Sequence, residues 1–187
     1  MTGKIRIIGG QWRGRRLSVP DRPGLRPTGD RVRETLFNWL QPYIGGAECL
    51  DLFAGTGALG LEAASRGAGR VVLVERDRAL VDAICVAQSW PGGAGVEVIR
   101  DDALAWLGRS TNRFDIVFLD PPFGAGLQAR ALEALVTHGL LADGALVYVE
   151  QEIDESLEDS ERFEVFRDKR LGRVRARLLR YLPAASV

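Results

Sequence analysis

From residue 47 onward the chain alternates between short, continuously apolar runs and segments with a helical period, and this alternation restricts the fold more than any other feature. The runs are AECLDLF, RVVLVE, GVEVIR, FDIVFLD and GALVYVE. Helices are expected between them at about residues 58–65, 78–88, 103–107 and 127–138. A strand with one wet face alternates apolar and polar residues, whereas these runs are apolar almost throughout. They predict strands covered on both faces, which means a parallel sheet with helices on either side. The last two strand-like stretches, RFEVFRDKRL and RVRARLLRYL, flank Gly172 and predict an antiparallel hairpin that completes the sheet.

Ahead of this pattern, KIRIIGG and RGRRLSVP read as a small β-hairpin, followed by a proline- and glycine-broken loop. Asp30 is expected to cap a helix running to about Leu40, with Val32, Leu36, Phe37 and Leu40 on one face. The division expected is a basic hairpin and loop over residues 1–28 and one α/β domain over residues 29–187. Charge follows the same division. Residues 1–33 hold nine Lys or Arg against two Asp in a chain of zero net charge. Arg6, Arg13, Arg15, Arg16, Arg26, Arg31 and Arg33 therefore form a candidate footprint for nucleic-acid phosphates. Trp12 either stacks on a base or packs the hairpin onto the domain.

Several chemistries are excluded early. His138 is the only histidine, which leaves no base for a Ser–His or Cys–His nucleophile. Cys49 and Cys85 lack metal-ligand spacing and read as small core residues. No stretch reaches the ~20 apolar residues of a membrane span, and the first residues lack the apolar core of a secretion signal. A cytoplasmic protein is the expectation.

The runs end in polar residues suited to a ligand at the carboxyl edge of an open parallel sheet. After the first comes Asp51-Leu52-Phe53-Ala54-Gly55-Thr56-Gly57, a turn whose glycines let a ligand approach the backbone. Phe53, Ala54, Gly55 and Gly57 would line that ligand, and Asp51 suits a cationic group such as an ammonium. Glu75, followed by Arg76, ends the second run and can accept hydrogen bonds from ribose hydroxyls. Asp102 and Ala103 follow the third and can flank an adenine. The same glycines fit the dinucleotide pattern GxGxxG, but no residue serves as a hydride-transfer acid.

The fourth run ends in Asp120-Pro121-Pro122-Phe123. The prolines hold the backbone in a fixed non-helical path, which directs the Asp120 carboxylate and the Pro121 carbonyl into the crevice. Two fixed acceptors can hold the two hydrogens of a nucleobase amine and leave its lone pair facing an electrophile. They also stabilise the positive charge that develops on the attacking nitrogen. Phe123 offers a face for base stacking, worth ~1–3 kcal/mol.

The order DLFAGTG, VLVE, DDA, DPPF resembles the class I S-adenosylmethionine-dependent methyltransferases that modify amino groups. The blocks RIIGGQWRGRRL, GLRPTGDRVRETLFNWL and ALGLEAASRGA are similar to the bacterial 16S ribosomal RNA guanine-N2 methyltransferases, and the similarity runs from about Arg6 to Tyr181. The resemblance implies a Rossmann-like, seven-stranded, mostly parallel sheet, with S-adenosylmethionine as donor and no metal. It implies as acceptor a guanine of 16S ribosomal RNA, flipped out of its stack, in an assembled or assembling small subunit. It assigns Asp51, Gly55 and Gly57 to the methionine moiety, Glu75 to the ribose, Asp102 and Ala103 to the adenine, and Asp120 to Phe123 to catalysis. It also adds Thr28 to the basic footprint and makes the nucleic acid there RNA. A monomer is expected. A DNA amino-methyltransferase, a nicotinamide-dependent oxidoreductase and a non-catalytic RNA-binding assembly factor are the competing readings; the first of these usually needs a larger target-recognition region.

Overall fold

Seven strands form one sheet in the computed structural model, which describes residues 2–20, 29–122, 126–152, 161–172 and 174–184. The N-terminal hairpin is β1 (Thr2–Arg6) with β2 (Arg16–Pro20), paired antiparallel. Then follow α1 (Asp30–Leu40), β3 (Glu48–Asp51), α2 (Ala58–Ser65), β4 (Arg70–Glu75), α3 (Arg78–Cys85), β5 (Val96–Arg100), α4 (Ala103–Leu107), β6 (Phe114–Leu119), α5 (Leu127–Thr137), β7 (Leu141–Glu152), β8 (Phe163–Leu171) and β9 (Val174–Tyr181). Spatial order is β5-β4-β3-β6-β7-β9-β8, parallel from β5 to β7, with β9 antiparallel to both of its neighbours. The expected fold class is the one found, down to the antiparallel close.

The apolar runs are buried on both faces because each strand feeds two cores. Cys49, Val71, Leu73, Ile116, Phe118, Leu146 and Tyr148 face α1, α2 and α3. Leu50, Val72, Val74, Val117, Leu119, Val147 and Val149 face α4 and α5. The N-terminal hairpin belongs to the first of these cores. Ile5, Ile7, Trp12, Leu17 and Val19 are buried in it beside α1 and α2, so the first residues share the hydrophobic core of the rest.

Polar bonds fix that attachment. Glu62, in the middle of α2 and fully buried, accepts hydrogen bonds from the Ile8 and Gly9 amides, both at 2.8 Å. It also pairs with Arg66 at 2.8 Å and with Arg33 at 3.6 Å. Ser65 Oγ donates to the Gly9 carbonyl at 2.5 Å and accepts from the Trp12 amide at 2.9 Å. At Gly10 the backbone has φ +74° and lies so near α2 that a Cβ would sit 1.9 Å from the Ser65 carbonyl oxygen. Only glycine allows both the left-handed φ and the approach.

One expectation about this region is corrected and one open choice is resolved. Gly29, not Asp30, occupies the position before α1, and Asp30 caps nothing; its carboxylate instead accepts from Arg33 at 2.6 Å and Arg6 at 3.3 Å. Those guanidinium partners, Arg33 foremost, hold Asp30 below the usual carboxylate range. Trp12 is 1% exposed, donates its indole N–H to the Pro91 carbonyl and meets Trp90 edge-on, so it packs the hairpin and does not offer a stacking face.

Candidate active site at the carboxyl edge of the sheet

Strand order reverses between β3 and β6, and a crevice opens beyond their carboxyl ends. Asp51 ends β3, Glu75 ends β4, Asp102 follows β5 and Asp120 follows β6. Sequence positions 69 residues apart are therefore brought to one rim by the parallel register, in which Asp51 lies opposite Leu73 and Phe118.

The glycine turn is built for a ligand at a helix start. Gly57 precedes α2 with φ +75° and has no side chain to cap the helix. A ligand can take the first-turn N–H groups that Asp51 does not hold. Three residues on, Gly60 lets α2 approach the sheet: a Cβ there would lie 2.7 Å from Leu73 and 3.1 Å from Asp51 Oδ2. Gly60 N–H donates to Asp51 Oδ2 at 2.8 Å. Asp51 is buried, and burial together with the charges of Asp120 and Glu75 pushes its carboxyl up to about 7, against the pull of the Gly60 bond. An incoming cation would relieve that penalty.

Glu75 is fixed from both sides. Its Oε2 accepts from the Gly55 amide and its Oε1 from the Asp77 amide, each at 2.8 Å. A carboxylate has about four acceptor positions, so two bonds orient it and leave capacity for a diol. Asp77 caps α3 through Ala79 and Leu80 and locks the turn after Glu75. Asp102 is exposed and caps α4 by accepting from Ala105 at 3.0 Å, while Ala103 is buried beneath it. Phe53 is half-buried against the α4 and α5 core, Ala54 is buried and donates its N–H to the Val74 carbonyl at 3.0 Å, and Arg76 is exposed. These residues fit an adenosine-like cofactor with a cationic tail. Each acceptor sits at a strand end and the helix start is open.

Asp120 is half-buried, Pro121 buried and Pro122 exposed at the crevice end of β6. Phe123, Arg26 and Thr28 lie outside the described residues. Of the basic residues named as RNA contacts, Arg6, Arg13, Arg15, Arg16 and Arg31 are exposed. Arg33 is not: it is 3% exposed and donates to the Arg6 carbonyl at 3.0 Å. Its charge is spent on Asp30 and Glu62, which removes it from the surface that RNA could touch. The exposed arginines also differ in height. Gln11 and Trp12 bind Ser65, the last residue of α2, which puts the hairpin turn with Arg13 and Arg15 at the amino edge of the sheet. Arg15 lies over Trp90, beyond α3, at 5.2 Å. Arg31 in the first turn of α1, and Arg6 through its bond to Asp30, lie nearer the crevice, because α1 reaches the amino end of β3 only at its own carboxyl end; Arg16 directly follows Arg15.

Sequence reasoning missed Glu62, Ser65 and two residues of β7. Tyr148 and Glu150 are buried next to Asp120, and the Tyr148 hydroxyl donates to Glu150 Oε2 at 2.9 Å. The only signal for them was a polar pair ending an otherwise apolar run.

The chain matches the family model described as Conserved hypothetical protein 95 over residues 5–180. It is 49% identical over 178 residues to Ribosomal RNA small subunit methyltransferase D of Escherichia coli (strain K12), covering 95% of this chain and 90% of the relative. The protein of the same name from Haemophilus influenzae (strain ATCC 51907 / DSM 11121 / KW20 / Rd) is 44% identical over 186 residues, covering 94% of this chain and 93% of that one. The solved structure of Escherichia coli yhhF superposes with a TM-score of 0.89 at 45% identity, covering 96% of this chain and 99% of that chain.

Proposed function

The chain belongs to the Conserved hypothetical protein 95 family, and from that membership we propose that it is an S-adenosylmethionine-dependent ribosomal RNA methyltransferase whose acceptor is the exocyclic N2 of one guanine in 16S RNA. The observation that carries this reading is the rim of carboxylates at the strand switch point. Glu75 is oriented by two backbone amides beside an uncapped α2, with Asp51 and the Asp120–Pro121 corner in the same crevice.

S-adenosylmethionine supplies a methyl group on a sulfonium. Glu75 takes the ribose hydroxyls, Asp102 and Ala103 bracket the adenine, and the α2 start with Asp51 takes the methionine end. The Asp120 carboxylate and the Pro121 carbonyl accept the two hydrogens of the guanine amine and fix its nitrogen toward the methyl carbon. As the nitrogen becomes cationic, both acceptors gain in strength. A bound base and cofactor would exclude water from them, which makes the gain larger than in solution. The proton shed afterwards passes to Asp120 or to solvent.

On this reading the basic segment of residues 1–28 docks the RNA, through phosphates rather than bases. Reaching a guanine amine in folded RNA requires the base to leave its stack. The enzyme works as a monomer in the cytoplasm, on an assembled or assembling small subunit.

The test is methyl transfer from labelled S-adenosylmethionine to small subunits purified from a strain lacking the gene, with duplex DNA in parallel, and nucleoside mass spectrometry of the product. Label recovered as N2-methylguanosine in 16S RNA is expected. Label in DNA, or recovered as a methyladenosine, defeats the reading. Calorimetry with S-adenosylhomocysteine and with NAD separates a methyltransferase from an oxidoreductase.

A further inference from the structure

Guanine and adenine both carry an amine that Asp120 and Pro121 could hold, so the corner by itself does not choose between them. They differ in the neighbouring ring atom. Beside its amine guanine has N1–H, a donor, whereas adenine has N1 with a lone pair. With both amine hydrogens held, guanine still needs a third acceptor on the same edge.

Glu150 stands where that acceptor is required. Strands β6 and β7 are paired in parallel through Phe118 with Tyr148 and Leu119 with Val149. One residue further, Asp120, the first residue after β6, comes level with Glu150 of β7, which runs on to Glu152, and neighbouring strands lie about 4.8 Å apart. Phe118 and Tyr148 face the α1 side of the sheet, and the two-residue period of a strand puts Asp120 and Glu150 on that side as well. Glu150 is 7% exposed. Tyr148 donates to its Oε2 at 2.9 Å and the Gln128 amide of α5 donates to its backbone carbonyl, and both bonds orient it. Tyr148 is held well above the ordinary phenol value by burial first and then by the charges of Glu150 and Asp120, so it stays a donor. β7 also lies on the far side of β6 from β4 and β5, away from Glu75 and Asp102. That is the acceptor's side of the crevice.

We propose that Glu150 is the residue that selects guanine, by accepting the N1–H of the flipped base while Asp120 and Pro121 hold its amine, with Tyr148 as the positioning residue that aims the carboxylate. The assignment rests on the guanine-N2 reading above. An adenine in the same pose presents its N1 lone pair to a carboxylate, which repels it. Sites built to bond a particular donor discriminate strongly against analogues that lack it.

The probe is 2-aminopurine, which keeps the 2-amine and lacks the N1–H. Nucleoside mass spectrometry locates the guanine methylated by the wild-type chain. Small subunits are then assembled from ligated 16S RNA carrying guanine or 2-aminopurine there, and kcat/KM is measured on each. Wild type should prefer guanine by about 100-fold. Glu150→Gln, whose amide can donate to an unprotonated N1, should lose about 100-fold on guanine and little on 2-aminopurine, with S-adenosylhomocysteine affinity unchanged. Tyr148→Phe should lower the guanine rate by about tenfold and keep the preference. A wild-type enzyme that methylates both bases alike overturns the assignment without any variant. A Glu150→Gln enzyme that is slowed equally on both bases marks Glu150 as structural and overturns it too. If wild type places no methyl on any guanine, the underlying reading has failed, which is a separate result.

Discussion

Asp51 shows how a single buried carboxyl links stability to the site. Its folded-state value of about 7 lies above the ordinary 3.8, so the folded chain favours the protonated form. Stability from this group is fully present below pH 4 and is lost as pH rises towards and through 7, at a cost of roughly 4 kcal/mol at most. Asp51→Asn should therefore flatten the fall in melting temperature between pH 5 and 8, with the variant gaining on wild type at the alkaline end. Parallel melting curves across that range would refute the assignment. At the other acid, Asp120→Ala should cut methyl transfer by at least about 100-fold, since it removes a group that stabilises charge at the reacting nitrogen. Calorimetry should find S-adenosylhomocysteine binding nearly intact, and a loss of binding would move Asp120 into the cofactor site. At this scale Asp51, Glu75, Asp102 and Asp120 were legible because each ends an apolar run. Arg33 was misread because nothing local tells a buried arginine from a surface one. Its partner Glu62 stands 29 positions away on another helix.

At the scale of elements, strand and helix positions follow the apolar pattern closely, because burial on both faces leaves so little sequence freedom. The exceptions have local causes. α3 stops at Cys85 and tightens into a 3-10 turn over Val86–Ser89, where the Ser89 hydroxyl donates to the Val86 carbonyl. β7 begins at Leu141 rather than at Gly144, with an irregularity in its pairing to β6 between Phe114 and Ile116. The docking of the hairpin was legible only as one of two readings of Trp12. Its polar anchors join residues 53 to 56 positions apart, and Glu62 and Ser65 lie in a helix with no periodic mark. Glu62→Ala would leave the Ile8 and Gly9 amides without their acceptor and take one of two carboxylates from the buried Arg33 guanidinium. It should destabilise the chain by about 3–5 kcal/mol in urea unfolding. Hydrogen exchange at the Ile8 and Gly9 amides should accelerate more than exchange in β3 or β6. Uniform acceleration would show that the hairpin and the sheet unfold as one.

Over the whole molecule, charge is arranged along the height of the fold. Arg31, and Arg6 through its bond to Asp30, sit toward the crevice edge, while Arg13 and Arg15 sit at the opposite one with Arg16 next to Arg15. Replacing Arg6 and Arg31 together by Ala should weaken binding to small-subunit RNA and lower the slope of log affinity against log salt by about 1.5. The Arg13 and Arg15 pair should change it less, and the reverse ranking would place the docking surface on the amino edge.

The position of β9 carries a consequence for how the chain comes into being. Residues 174–181 are inserted between β7 and β8, so a strand made after both of them pairs with each. Until it emerges, β7 and β8 have no common neighbour and each offers an open row of amides and carbonyls. A nascent chain stalled or cut before residue 174 would have a gap in its interior in place of a trimmed border, and would be prone to association with its own copies.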